Sequence, residues 1–498
     1  MAEHVIAVDD AGSDLALCAA YIVEGITNAE AKSDATESVV DHFLTNGDVD
    51  SAAEFADALE DPYARDRFLI KVIVKCIEEK DDEYAFQLVE AISEPGLKAT
   101  ALEVTAFSLA ERGEFEKAKE TASGLDHSSD ILAGIATVQA AKGLKEEAIT
   151  TLGQIDYVKA RVSAAIDIAT AHFKDKNEPE STFWAAKAAE EVGDVEFEED
   201  KIRLYNEIAN LYLALDNEDV AALHFRAGAE LAANLDNIHR DSLLVSGAIG
   251  LLKAGDVENA DDTLDLVADK TQVAACLHGF SRYYEKEEPE DAVETIEEAL
   301  AMLNSQSEYE VRSTKARNEM FGEVAVQFQR VGLKERALEI AHSNPDEARR
   351  NQALTSIAQL LLMDGDSAAA DEVVMGIEPD SARLNAAIGL SDAAFTIEDK
   401  PMAVEYLRSA ADLLEEVEQM IARAEISDEI AVRLGVFGES EEAEKLARAN
   451  LRLISEIRND GGKAAALVRL GSVYKKIGIE LNEDDQTILK TLTRKVDW

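Results

Sequence analysis

A glycine followed five positions later by an alanine recurs seven times along this chain of 498 residues. The apolar residues on either side of these glycines return every three or four positions, which places them on one face of a helix. The recurrence therefore predicts a repeated helix–turn–helix unit. The seven segments are "NGDVDSA" from Asn46, "RGEFEKA" from Arg112, "KGLKEEA" from Lys142, "AGDVENA" from Ala254, "VGLKERA" from Val331, "DGDSAAA" from Asp364 and "FGESEEA" from Phe437.

The segment around Gly255 shows how such a unit is built. Apolar residues of 244–251 and of 260–267 stand at helical spacing on the two sides of the glycine. We expect Gly255 to end the first helix in a left-handed conformation, which costs glycine little. Asp256 is expected to supply an N-cap oxygen for the second helix. Ala260 is expected at the point where the two helices cross closely.

Counting back seven residues from every turn position, with or without glycine, gives thirteen anchors separated by 30 to 45 residues. A period in the thirties made of helix pairs is typical of α-solenoids. The sequence therefore predicts an all-α fold, a right-handed α-solenoid of about thirteen helix–turn–helix repeats. The anchors are Val40, Ile73, Ala106, Ala136, Ala169, Ala209, Ala248, Phe280, Ala325, Ala358, Ser391, Ala431 and Gly471.

Several repeats resemble the tetratricopeptide (TPR) pattern. The signature Trp is absent, and the repeats of 39 to 45 residues are longer than the family's usual length of about 34. The likeness is to a divergent TPR-like array that covers nearly the whole chain. The matching residues are Tyr205, Ile208, Ala209, Tyr212, Ala221 and Phe225; Phe321, Val324, Ala325, Phe328, Gly332 and Ala337; and Leu470, Gly471, Tyr474 and Gly478.

The anchors also bear on domain organisation. Four anchors of the first half have a counterpart in the second half at a nearly constant offset, which either reflects two duplicated halves or arises by chance between tandem repeats. The largest separation, 45 residues, contains a polar stretch. The expected domains are TPR-like repeats over 1–300, a kink or connector over 301–314, and TPR-like repeats over 315–498 that end in a capping helix. The four pairs are Ala136 with Ala358, Ala169 with Ser391, Ala209 with Ala431, and Ala248 with Gly471.

The seven prolines are expected outside helix interiors, where they would break hydrogen bonding. Four should fall between repeats and three in turns that lack glycine. The first set is Pro62, Pro95, Pro345 and Pro379, and the second is Pro179, Pro289 and Pro401.

Charge is the most unusual feature of the composition. The chain has 49 basic and 101 acidic residues, a formal net charge of −52. This balance excludes direct nucleic-acid binding, which depends on Lys and Arg. Two explanations stay open: adaptation to high internal salt, or a surface made for a basic partner. The even spread of the acids along the chain favours salt adaptation.

The remaining motifs predict neither secretion nor catalysis. The first residues lack the cations of a secretory signal, and the apolar stretch 15–23 is too short to span a bilayer, so we expect a cytoplasmic protein without a membrane segment. Cys18, Cys76 and Cys276 are expected to be reduced and mostly buried. "DGGKAAA" from Asp460 lacks the first glycine and the hydroxyl of a phosphate loop. The sequence therefore predicts a protein that is not an enzyme and uses no cofactor or metal.

The TPR likeness implies a concave groove, lined by the first helices, that holds a peptide or helix of a protein partner. Asn206 and Asn210, four residues apart, would bond the partner's backbone. The function expected is a non-enzymatic scaffold or adaptor; the alternative is a regulatory or ribosome-associated factor whose acidic face holds a basic protein. The predicted partner-binding residues are Phe107, Asn206, Asn210, Leu213, Ser242, Leu252, Tyr284 and Phe395.

Overall fold

The computed structural model describes residues 6–123, 125, 128–307 and 311–496, and it is all-α. Two short 3-10 helices (Val192–Asp194 and Leu414–Glu416) accompany the α-helices, and the described residues contain no strand. The α-helices are α1 (Val8–Ala11), α2 (Leu15–Glu24), α3 (Ala29–Thr45), α4 (Val49–Asp57), α5 (Pro62–Glu78), α6 (Asp82–Ala91), α7 (Pro95–Glu111), α8 (Phe115–Ala122), α9 (Ser128–Ala141), α10 (Lys145–Leu152), α11 (Val158–Lys174), α12 (Glu178–Glu191), α13 (Glu198–Ala214), α14 (Glu218–Ala233), α15 (Arg240–Lys253), α16 (Val257–Leu264), α17 (Lys270–Tyr284), α18 (Pro289–Asn304), α19 (Thr314–Arg330), α20 (Lys334–Ser343), α21 (Glu347–Met363), α22 (Ser367–Met375), α23 (Asp380–Thr396), α24 (Lys400–Asp412), α25 (Met420–Val436), α26 (Ser440–Glu456), α27 (Asp460–Ile477) and α28 (Glu483–Val496).

The helices form two compact units. Unit 1 comprises Met1–Ser108 together with Leu362–Trp498, and unit 2 comprises Leu109–Leu361. From α3 onward the odd-numbered helices are the first helices of the expected repeats, and the even-numbered helices are the second. The helical-repeat fold predicted from the sequence is confirmed.

Unit 1 brings the two ends of the chain together. Helix α27 packs against α25 on one side and against α2 and α3 on the other. Tyr21 and Val40 share one apolar core with Leu470 and Leu492. The last helix, α28, packs against α1, α2 and α26, and its expected role as a cap of the array stays a prediction. The N-terminal helices therefore cover the apolar surface that a terminal repeat would otherwise expose.

Unit 2 contains the segment 301–314, which was expected to form a kink or connector. Helix α18 ends at Asn304 and α19 begins at Thr314, and residues 308–310 lie outside the described residues. The boundaries between the two units fall in α7 and α21 instead of near residue 301. A kink at 301–314 stays a prediction.

The predicted turn positions are the places where the backbone becomes left-handed. Twelve of the thirteen have a positive φ, and in four of these the residue is not glycine. The exception is Glu287, in the turn after α17. The twelve are Gly47, Lys80, Gly113, Gly143, Lys176, Asp216, Gly255, Gly332, Gly365, Glu398, Gly438 and Gly478.

Gly255 shows the cap in detail. Its φ is +76°, and its N–H donates to the carbonyl oxygen of Leu252 at 3.0 Å. The N–H of Asp256 donates to the carbonyl of Leu251 at 2.9 Å, which completes a Schellman motif. The N-cap expected of the Asp256 side chain is wrong, because this carboxylate makes no cap bond. It instead pairs with Arg226 at 2.6 Å and accepts from Asn259.

The alanine that lies five residues after each of the seven glycines is buried where the two helices meet, as expected. These alanines, each with 0% exposure, are Ala52, Ala118, Ala148, Ala260, Ala337, Ala370 and Ala443.

None of the prolines lies in a helix interior, as expected. Six occupy the first turn or the N-cap of a helix, and Pro345 lies just before α21.

A basic residue stands eight positions before eleven of the thirteen anchors, a regularity that the sequence reasoning missed. A cation in the first turn of a helix is disfavoured by the helix dipole. Three arginines show what offsets this: Arg161, Arg350 and Arg423 each donate to the backbone carbonyl six residues earlier, at 2.6, 3.2 and 2.9 Å. Each thereby ties its first helix to the preceding loop. The eleven residues are Lys32, Arg65, Lys98, Arg161, Lys201, Arg240, Arg317, Arg350, Arg383, Arg423 and Lys463.

The offset between the paired anchors extends to the secondary structure. Helices α23 (380–396) and α25 (420–436) begin and end at a constant offset from α11 (158–174) and α13 (198–214). This offset is the one that separates Ser391 from Ala169. The two 3-10 helices, at 192–194 and 414–416, are related by the same offset. A tandem hairpin pattern does not require a 3-10 helix at the same place, so the structure favours duplication.

Candidate partner-binding surface

The first helices of unit 2 form a continuous row. Helices α11, α13, α15, α17 and α19 each pack against the next one in the row. The side of the row turned away from the second helices is the face on which the sequence placed most of the predicted partner-binding residues. We call it the first-helix face of unit 2.

Four of the six predicted residues in unit 2 are accessible. Asn210 and Ser242 are exposed, while Leu213 and Tyr284 are half-buried. Leu252 is fully buried in the core of unit 2, so its assignment to a binding surface is wrong.

Asn206 is also removed from the predicted surface. Only 8% of it is exposed, and its Oδ1 lies 3.0 Å from the position that a Cβ on Gly228 of α14 would occupy. Asn210 is exposed, but its Nδ2 donates to the backbone carbonyl of Asn206 at 2.8 Å. The two amides therefore do not form the paired donors expected for a partner backbone.

The other two predicted residues, Phe107 and Phe395, belong to unit 1. Phe107 is half-buried. Phe395 is half-exposed and stacks on Phe437 with 4.7 Å between ring centroids. They are not part of the first-helix face of unit 2, and their role in partner binding stays a prediction.

Two carboxylates on the first-helix face were not singled out from the sequence. Asp167 of α11 and Glu207 of α13 both stand two positions before their anchors, and both are partly exposed. Partial burial raises the pKa of Asp167. Partial burial and the charge of Asp167 together raise the pKa of Glu207, against the opposing charges of Arg203 and Lys159.

The nearby cations act on Glu207 through their charge, but each forms its ion pair with another carboxylate. Lys159 pairs with Asp200 at 2.9 Å, and Arg203 lies 3.9 Å from Glu199. Within the part of the chain that the structure describes, neither Asp167 nor Glu207 has a salt-bridge partner. The two carboxylates repel each other across adjacent helices, and a cation placed beside them would relieve that repulsion.

A cleft of about 340 Å³ lies farther along the same row, between α17, α19 and α21. Met320 and Val326 contribute apolar surface, and Glu319 forms an ion pair with Arg349 across the cleft. Val326 occupies the repeat position that Phe107 and Asn210 occupy in their own repeats. A role of this repeat position in partner binding stays a prediction.

Cys18, Cys76 and Cys276 are buried free thiols, and burial raises their pKa values to about 12, 11 and 12. They stay protonated at neutral pH and are poor nucleophiles. No cluster of three or more His, Cys, Asp or Glu side chains that could hold a metal was found in the described ranges. No described helix combines the length and apolarity needed to cross a bilayer.

Comparisons with known proteins give similarities of fold alone. No family model matches the chain, and no curated protein sequence matches it significantly. Among solved structures, Ton1535 from Thermococcus onnurineus is 15% identical with a TM-score of 0.29, and the match covers 71% of this chain and 98% of that one. The STAND protein PH0952 from Pyrococcus horikoshii, which has a tetratricopeptide repeat sensor, is 14% identical with a TM-score of 0.30, covering 69% and 54%. A chain of the Naa15/Naa10 structure is 12% identical with a TM-score of 0.31, covering 97% and 91%.

Proposed function

We propose that this protein is a non-enzymatic scaffold or adaptor that holds a basic segment of a protein partner on the first-helix face of unit 2. The observation that supports this proposal is the pair Asp167 and Glu207, two carboxylates that have no salt-bridge partner among the described residues and of which Asp167 raises the pKa of Glu207. A Lys or Arg of the partner would supply a cation for the pair. The fixed helices α11 and α13 would hold the two carboxylates ready for it.

The charge of the whole chain supports the same kind of partner. A net charge of −52 attracts basic proteins and raises the rate at which they associate. A regulatory or ribosome-associated factor that holds a basic protein would use the same surface. We place this role in the cytoplasm, where buried free thiols such as Cys276 stay reduced.

The test compares affinity capture by the wild type and by Asp167→Asn/Glu207→Gln, from a lysate of the source organism at its native salt concentration. The control Glu294→Gln/Glu298→Gln removes two charges from exposed positions on α18. Basic proteins that the wild type and the control retain, and that the Asp167→Asn/Glu207→Gln variant loses, would support the proposal. The same captured proteins in all three samples would overturn it.

The free protein should respond in the opposite direction. A carboxylate whose pKa is raised by folding destabilises the folded state at every pH above its unfolded value, and the penalty disappears as the pH falls. Asp167→Asn is therefore expected to raise the thermal midpoint at pH 7 while it weakens capture of the partner. A midpoint that falls would show that Asp167 stabilises the fold instead.

A further inference from the structure

Four successive loops of unit 2, which precede α11, α13, α15 and α17, each expose a large apolar side chain. Tyr157, Phe197, Ile238 and Leu266 are 42%, 59%, 83% and 46% exposed. Isolated exposed apolar residues are ordinary on protein surfaces, but a contiguous patch marks an interaction site. We call these four residues the loop-edge row.

Polar contacts join each of these loops, or the helix start that follows it, to its neighbour. Lys159 at the start of α11 pairs with Asp200 at the start of α13. Nδ2 of Asn237 donates to Glu199 at 2.7 Å, which joins the loop before α15 to α13. Arg240 at the start of α15 donates to the carbonyl of Leu266 at 3.0 Å. The four loops therefore lie side by side along one edge of the unit.

Each apolar residue has an exposed acid beside it in the sequence. Glu196 and Glu198 flank Phe197, and the other three loops carry Asp156, Asp236 and Asp265 next to, or two residues before, the apolar side chain. Within the described ranges none of these five carboxylates has a salt-bridge partner. The pattern of one apolar residue and at least one free acid is thus repeated in every loop of the row.

We propose that the loop-edge row binds an amphipathic helix of a partner protein, whose apolar face is bordered by Lys and Arg. Packed helices lie about 8–10 Å apart, so the four side chains span roughly 25–30 Å. Seven residues of a helix rise about 10.5 Å, so apolar residues at heptad spacing over about 20 residues meet all four. In an extended strand, side chains three residues apart point to opposite faces, so a strand could not present four apolar side chains on one face at the spacing of the loops.

The loop-edge row is distinct from the face proposed above. Tyr157 precedes Asp167 by ten residues, which is about 15 Å along the axis of α11. The row lies at the N-terminal ends of the first helices, whereas Asp167 and Glu207 lie in their middles. One protein could therefore hold a basic segment and an amphipathic helix at two separate places.

The proposal is tested with a fluorescein-labelled synthetic peptide, with Leu at heptad spacing and Lys on both sides of the Leu stripe. The peptide spans about six helical turns, long enough to reach all four loops. Anisotropy is measured at a KCl concentration at which circular dichroism shows the protein folded. The wild type is expected to bind, and Phe197→Ser/Ile238→Ser is expected to lower the affinity at least tenfold. Leu223→Ser, at an exposed position on α14, is the matched control and should bind as the wild type does.

Charge and helix periodicity are tested separately. Glu196→Lys/Asp236→Lys should weaken binding and flatten its dependence on salt, because the loss of attraction across the interface reduces the electrostatic contribution. A peptide of the same composition but scrambled order should bind at least tenfold more weakly. Absence of wild-type binding, equal binding of the scrambled peptide, or unchanged binding by Phe197→Ser/Ile238→Ser would overturn the proposal.

Two further measurements exclude other occupants. Sedimentation equilibrium that shows a dimer in the wild type and a monomer in Phe197→Ser/Ile238→Ser would mean that a second copy covers the row. Flotation with phosphatidylcholine vesicles that the same variant abolishes would mean that a membrane does. Asp167→Asn/Glu207→Gln should bind the peptide normally, so failure of one proposal is distinguishable from failure of the other.

Discussion

Replacing Gly255 by valine should test the left-handed cap directly. Gly255 has a φ of +76°, and no atom lies within 4 Å of where a Cβ would stand. A clash therefore contributes nothing, and the cost arises from the backbone alone. A side chain in the left-handed region costs about 1–2 kcal/mol, and more when it is β-branched. Loss of unfolded-state freedom offsets up to about 1 kcal/mol, so the expected net cost is about 1–2 kcal/mol.

The cost is measured as a shift of the thermal and urea midpoints, followed by circular dichroism in a fixed high concentration of KCl. For a domain near the size of unit 2, each kcal/mol lowers the thermal midpoint by about 2–4 °C. The fold should survive, since Lys80, Lys176, Asp216 and Glu398 already take positive φ values at equivalent turns.

Gly96→Val is the matched control for this substitution. Gly96 also has open space around its missing Cβ, but its φ is not positive. It lies in the first turn of α7, where valine is tolerated. An unchanged midpoint for Gly255→Val, or an equal loss in both variants, would refute the argument from the backbone.

Three further predictions concern strain, pH and salt. Lys176→Gly should raise the thermal midpoint, because it relieves about 1–2 kcal/mol of backbone strain and the added entropy of the unfolded state costs only about 0.5–1 kcal/mol. Glu287→Gly should lower the thermal midpoint, because that turn has no positive φ and so has no such strain to relieve. Burial opposes ionisation of Asp66, but the N–H groups of Glu94 and Ser93 and the charge of Arg65 outweigh it and hold its pKa below the usual value. The stabilisation of the fold by ionised Asp66 is therefore present above the unfolded pKa of about 3.9 and is lost as the pH falls through the lower folded pKa. Asp66→Asn should lower the free energy of unfolding by about 1–3 kcal/mol at pH 7, and it should remove this part of the acid dependence in a denaturation series. If the acids are an adaptation to salt, helix content should fall as KCl is lowered toward about 0.1 M, where the Debye length is about 10 Å, and return at molar KCl. If the chain stays folded at about 0.1 M KCl and its complex weakens as the salt concentration rises, the explanation by a basic partner is favoured. If neither folding nor complex formation depends on salt, both explanations are contradicted.

The surface was harder to predict than the turns, and the position four residues after the anchor shows why. Leu213, Leu252, Tyr284 and Phe395 all occupy this position. Leu252 is fully buried, Leu213 and Tyr284 are half-buried, and Phe395 is half-exposed. The repeat position fixes the direction in which a side chain leaves its helix, but the neighbouring helices decide whether it reaches solvent.

The sequence by itself determined the helices and their turns, because these depend on bonds between residues close in the chain. The Schellman cap at Gly255 spans six residues, and the buried Ala260 follows five residues later. Only the tertiary structure decided which helices meet. Helix α2 has eight of its ten residues buried, so its sequence requires cover on every side. Helix α27, near the opposite end of the chain, provides this cover through its apolar face. Many other helices of the chain have such a face. Because these faces are alike, local sequence cannot specify the partner.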